Sequence, residues 1–242
     1  MQQRVPQEQE KNEKFQQPEA TFPDSDGKPM AESTLQFEWI ALIKQGMELA
    51  FQERPDVFVA GDLLWYPDKS TDKIRQAPDV MVVVGRPKGY RGSYKQFNEE
   101  GIAPQVVFEI MSPRNRPGEM IRKYEFYEEY GVLEYYVYDP HKHTLEVYTR
   151  ASTDDYWVNA IVHGFTRWKS SILGLEMTWI DKVFTLYQAD GTPFLSYTEL
   201  AEKNRLAETE LRRTEKLIQD TQLKTEKLAE KLRSLGIDPD SL

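Results

Sequence analysis

APQVVFEIMSPRNRPGEMIRKYEFYEEYGVLEYYVYDP, residues 103–140, carries the reading that decides the architecture. Prolines bound its first third, and the β-rich run QVVFEIM between them predicts a strand. In that strand Val106, Phe108 and Ile110 share one face, while Gln105, Val107, Glu109 and Met111 share the other. The middle third predicts a helix over 118–130, with Pro117 near its first turn and Gly131 closing its C-terminus. EYYVYDP at 134–140 is then a second strand ending at an Asp-Pro turn.

Upstream, Leu35, Trp39, Leu42, Ile43, Met47, Leu49 and Ala50 recur at three- and four-residue steps, an amphipathic helix over 33–51 capped by Ser33 or Thr34. VFVAGDLLWY at 57–66 reads as one strand, and APDVMVVVG at 77–85 as a strand covered on both faces. Downstream, 145–149 and 156–162 read as a hairpin, followed by a strand over 172–180. Helix, three strands, helix, strand and further β-structure make an α/β class with a mixed sheet.

The flanks differ in character. Residues 1–30 are polar with almost nothing to bury and read as a disordered extension; 31–195 form the domain. Residues 196–242 form a charged helical tail in which Leu211, Ile218, Leu228, Leu232 and Leu235 fall near heptad positions, with Thr214, Thr221 and Thr225 interrupting the seam. Such a helix either packs on or projects from its own domain, or pairs with a second copy to form a homodimer; both readings stay open. The 242 residues contain no cysteine and three histidines, which excludes disulfides and thiolate zinc and argues against an imidazole cage. With no secretory leader and no long apolar run, the chain reads as cytoplasmic with no membrane span. A net charge of −9 argues against a general polyanion binder, although not against a local basic patch.

Two carboxylates stand out. Asp79 opens a wholly apolar strand, and Glu109 lies in the middle of another, where a charge is costly unless paired or metal-bound. If the two strands are antiparallel neighbours, Asp79 and Glu109 converge, and converging carboxylates favour a hard cation such as Mg²⁺ or Mn²⁺. The bland alternative is a strand cap and a separate salt bridge. Lys123 shares a helical stripe with Glu119 and Tyr127. It either stabilises the charge of a phosphate transition state or pairs with Glu119 on a wet surface. Arg86, Lys88, Arg91 and Lys95, interleaved with Tyr90 and Tyr94, suit a flexible loop that grips phosphates and stacks on bases, with Arg114, Arg116 and Arg122 as candidates to widen the patch; solvated loop charge is the alternative.

Asp79 in APDVMVVVG, Glu109 in VVFEIMSP and Lys123 in KYEFYEEYGVLEYYVYDP together resemble the Uma-two family of restriction endonucleases, within the PD-(D/E)xK nuclease superfamily. The resemblance runs from about Pro29 to Leu195, and the tail LAEKLRSLGIDPD is similar to tails appended to such proteins. It implies a restriction-endonuclease-like mixed β-sheet core flanked by helices, with added β-hairpins. It further implies magnesium held by Asp79 and Glu109, and hydrolysis of DNA phosphodiesters. Glu32 matches an acidic position near the site of similar proteins. The superfamily pattern places a lysine two residues after the glutamate, where this chain has Met111; Lys123 on the following helix resembles a variant that replaces it. Asp62 is expected to serve a structural hydrogen bond. Two other readings compete with the nuclease: a nuclease-fold scaffold that works through its tail, and a two-carboxylate glycoside hydrolase, for which Trp65, Trp157, Trp168 and Trp179 fit core better than sugar subsites.

Overall fold

The computed structural model describes residues 21–27, 31, 33–160 and 166–235. Glu32, residues 1–20, the far end of the expected second hairpin strand and residues 236–242 lie outside them. In chain order the elements begin with α1 (Thr34–Ala50), β1 (Val57–Gly61), β2 (Trp65–Tyr66), β3 (Val80–Val84), β4 (Tyr94–Lys95) and β5 (Val106–Ile110). They continue with α2 (Pro117–Glu129), β6 (Glu134–Asp139), β7 (Thr144–Thr149), β8 (Val158–Asn159), β9 (Arg167–Lys169), β10 (Glu176–Ile180), β11 (Val183–Leu186) and α3 (Tyr197–Ser234).

Six strands form one mixed sheet in the order β1-β3-β5-β6-β7-β8. β3 pairs with β5 antiparallel, whereas β5 and β6, joined through α2, are parallel. Helix α1 begins where the Ser33 hydroxyl accepts the Gln36 amide, and its stripe of Ile40, Ile43 and Met47 packs on one face of the sheet. The antiparallel sheet β11-β10-β9 shares that core through Met177, Phe184 and Leu186. The opposite face is covered by α2 and β2, with Trp65, Tyr127, Val132 and Tyr135 packed on Met81 and Val107. Gly131, at φ 103, turns the chain out of α2 towards β6, a conformation glycine adopts without steric cost.

Two expectations need correction. The run 57–66 is two strands, because Asp62 takes φ 46 and redirects the chain. Its second half, β2, pairs in parallel with β4 in a separate two-stranded sheet. The segment 172–180 becomes a strand only from Glu176, since 171–175 is a loop with Gly174 at φ 67. The helix expected in the tail is present and exposed: α3 has no buried residue, and a capping box of Ser196 and Glu199 starts it. The tryptophans bear out their core reading, with Trp65 and Trp157 buried and Trp168 and Trp179 packed against the core from its edge.

Glu134 ties the two larger sheets together. Its buried carboxylate accepts from the hydroxyls of Tyr136, Ser170 and Ser171 and from the amides of Ser171 and Ile172. Removing it strands those donors in the interior. Glu134→Ala is therefore expected to lower unfolding free energy by about 3 kcal/mol in urea denaturation. A loss below about 1 kcal/mol would mean that the 170–172 loop is held by something else.

Candidate active site

The β3/β5 register pairs Val80 with Phe108. Continued by one residue, it sets Asp79 opposite Glu109 on the same face of the sheet, where directly opposed Cβ atoms lie about 5 Å apart. Asp79 is buried, and its Oδ2 accepts the Ile110 amide at 2.7 Å. Glu109 is only 2% exposed. Its Oε2 accepts from Lys123 Nζ at 2.7 Å and its Oε1 from the Tyr127 hydroxyl at 2.5 Å. Lys123 and Tyr127 are the buried residues of α2, one turn apart. The ordinary surface role for Lys123 is thereby excluded: the lysine points inward onto Glu109.

Burial alone would depress the Lys123 ammonium, but Glu109 and then Asp79 outweigh it and hold its pKa above the ordinary lysine value. Asp79 moves the other way from a normal carboxyl. Burial first, and then the charge of Glu109, push it up to about 8, against the opposing pull of Lys123. Asp62 stands nearby, its amide on the carbonyls of Pro78 and Asp79. Its carboxyl is raised to about 6 by burial and by Asp26, with Glu109 adding and Lys123 opposing. The side chain expected to be structural thus lies within the field of the site.

Sequence reasoning missed Gln36. From the first turn of α1 it donates to the Ile110 carbonyl at 2.9 Å and hydrogen-bonds Asp79. The signal was available, because Gln36 continues the buried stripe of Ile40, Ile43 and Met47 and is its one polar side chain. Glu32 falls outside the described residues. Met111 lines an apolar hollow of about 260 Å³ with Met120, Tyr124 and Tyr135.

The loop 85–95 begins away from this site. It follows the far end of β3, roughly 20 Å along the strand from Asp79. Arg86 pairs with Glu99 and Glu100, and Arg91 pairs with Glu99 and covers the Phe58 ring. Lys88 donates to the carbonyls of Phe51 and Gln52 at the end of α1. Lys95 lies 5.8 Å from the centre of the Phe22 ring. The loop contains no acid, but Glu99 and Glu100 meet it from beyond its end. Arg114 and Arg116, by contrast, are exposed on the turn between β5 and α2, on the side of Asp79 and Glu109.

The donors present fit a hard divalent cation. Asp79 and Glu109 supply oxygen from adjacent strands, beside the Ile110 carbonyl. Among the described residues no group of three or more acidic, histidine or cysteine side chains is placed to hold a metal.

A family model described as "Uma2: Putative restriction endonuclease" matches residues 27–181. The chain belongs to the Uma2 family. Its six-stranded mixed sheet, with α1 and α2 on opposite faces, is the restriction-endonuclease-like core expected of that family. A solved structure described as a "putative nuclease belonging to DUF820 from Anabaena variabilis" is similar at 15% identity with a TM-score of 0.40, over 58% of this chain and 78% of that one. No curated protein matches.

The raised Asp79 carboxyl has a consequence for stability. The metal-free folded state holds this proton up to about pH 8, whereas an ordinary aspartate releases it near 3.8. The stabilisation is thus complete below about pH 4 and is lost as pH rises through about 8. Asp79→Asn removes that loss. Its melting temperature, relative to wild type in EDTA, is expected to climb from pH 6 to pH 9 and exceed wild type by about 5 °C at the upper end. Parallel curves for the two proteins would show that Asp79 is ionised in the fold.

Proposed function

We propose that this Uma2 protein is a Mg²⁺- or Mn²⁺-dependent endonuclease that hydrolyses DNA phosphodiesters, with Asp79 and Glu109 as the metal ligands and Lys123 as the displaced lysine of the site. The supporting observation is the convergence of the three residues from β3, β5 and α2, with the Lys123 ammonium on Glu109. When bound, the cation supplies positive charge to the scissile phosphate and lowers the pKa of a coordinated water.

The chain's own groups do the rest. Lys123 is held as an ammonium, so it is a hydrogen-bond donor and fixed positive charge, not a general base. It orients the attacking water and opposes the negative charge that builds on the phosphate. The Tyr127 hydroxyl fixes the Glu109 rotamer, and Gln36 fixes the end of β5 beside Asp79. Met111 at the usual lysine position then costs nothing in chemistry, since its task has passed to α2.

A second reading, a scaffold acting through paired tails as a homodimer, draws on the exposure of Leu211, Ile218 and Leu228 along α3. Nicking of supercoiled plasmid in Mg²⁺ or Mn²⁺ separates the two. Wild type is expected to cleave, and Asp79→Ala and Lys123→Ala to lose at least about a hundredfold in rate. Loss in Asp79→Ala with full activity in Lys123→Ala would remove the lysine assignment. A folded wild type without metal-dependent cleavage of any DNA would favour the scaffold.

A further inference from the structure

Beside the carboxylates, a cleft of about 540 Å³ opens between the chain leading into β3 and the first turns of α2. Lys73, Arg75, Arg116 and Arg122 line it, together with the acids Asp26 and Glu119. These cations differ from those of the loop 85–95. Arg86 and Arg91 are spent on Glu99, whereas among the described residues none of the four cleft cations forms an ion pair. Arg75 donates to the Asp72 carbonyl and lies 6.0 Å from the Tyr66 ring centre, which sets its stem and leaves its charge unneutralised. On a chain of net charge −9, four cations in one concavity with no ion pair among the described residues are a local reversal of sign.

The cleft adjoins the site through its lining residues. Its wall at Gln76 and Ala77 leads directly into Pro78 and Asp79. On the other wall Arg122 adjoins Lys123, and Glu119 acts on the Lys123 ammonium from one turn away. Asp26 at the mouth acts on Asp62, which in turn feels Glu109 and Lys123. Both walls of the cleft thus run directly into the residues of the carboxylate site.

We infer that this cleft receives the sugar–phosphate backbone of the DNA, with Lys73 and Arg75 on one wall and Arg116 and Arg122 on the other as phosphate contacts that position the strand over Asp79 and Glu109. The inference rests on the endonuclease reading and adds to it a substrate path that excludes the loop 85–95. Four point charges on two walls suit a repeating anion, because each phosphate neutralised releases counterions and none need be read by base. Asp26 and Glu119 work against binding and set a threshold on affinity.

The test is binding of a labelled DNA duplex to the full chain by fluorescence anisotropy, in Ca²⁺ to prevent turnover, across a salt series. The pairs Lys73→Gln/Arg75→Gln and Arg116→Gln/Arg122→Gln are each expected to weaken binding at least about tenfold and to flatten the log–log salt slope by nearly 2, at about 0.9 per phosphate contact. Asp26→Asn should tighten binding severalfold. A control pair with the same charge change outside the cleft lining, Lys216→Gln/Lys224→Gln on the exposed α3, should leave affinity and slope near wild type. DNA binding by wild type that survives both cleft pairs unchanged would overturn the cleft and leave the nuclease reading standing. A weakening as large in the control pair would reduce the effect to net charge and also overturn it. A wild type that binds no DNA at any salt would remove both readings together.

Discussion

A carboxylate in the middle of a sheet has to be neutralised where it stands, and Glu109 meets that demand with one lysine and one tyrosine from a single helix. Breaking such a pair leaves a bare charge in the interior, so the contact fixes how α2 lies on the sheet. Helix α2 is also the link that makes β5 and β6 parallel neighbours. The position of the ion pair and the topology of the sheet are therefore one constraint. Asp79 completes it from the adjacent strand. Placed beside Glu109 with a single lysine between them, the two carboxyls share too little positive charge, and Asp79 retains its proton up to about pH 8. This imbalance is what a divalent cation would correct.

The parts of the fold set by local chemistry were legible in the sequence. Ser33 capping α1, the apolar run of β3, the strand–helix–strand of 103–140 and Gly131 after α2 all appear where their residues demand. The antiparallel pairing of β3 and β5 was a condition in the reading of Asp79 and Glu109, and it is met. Whether Lys123 faced inward or toward Glu119 was not legible, because a helical stripe gives neighbours but not the face that is covered.

Other features depended on distant partners. Nothing local in AGDLLW announces that Asp62 breaks the strand, since an aspartate at positive φ is stabilised by what surrounds it, here the carbonyls of Pro78 and Asp79. The short strands β9 and β11 flank β10 and take their form from pairing with it. The loop 85–95 read as a free basic patch because its acids lie outside it, at Glu99 and Glu100. Among the described residues no helix is long and apolar enough to cross a membrane.

The central claim is that Asp79 and Glu109 form one cation site. Calorimetric titration of Mn²⁺ into the metal-free, DNA-free full chain at pH 7, in two buffers of different ionisation enthalpy, tests it most directly. The account predicts one ion per chain, uptake accompanied by release of nearly one proton, and loss of both in Asp79→Asn. Equal binding by Asp79→Asn, or binding with no proton released, would contradict it.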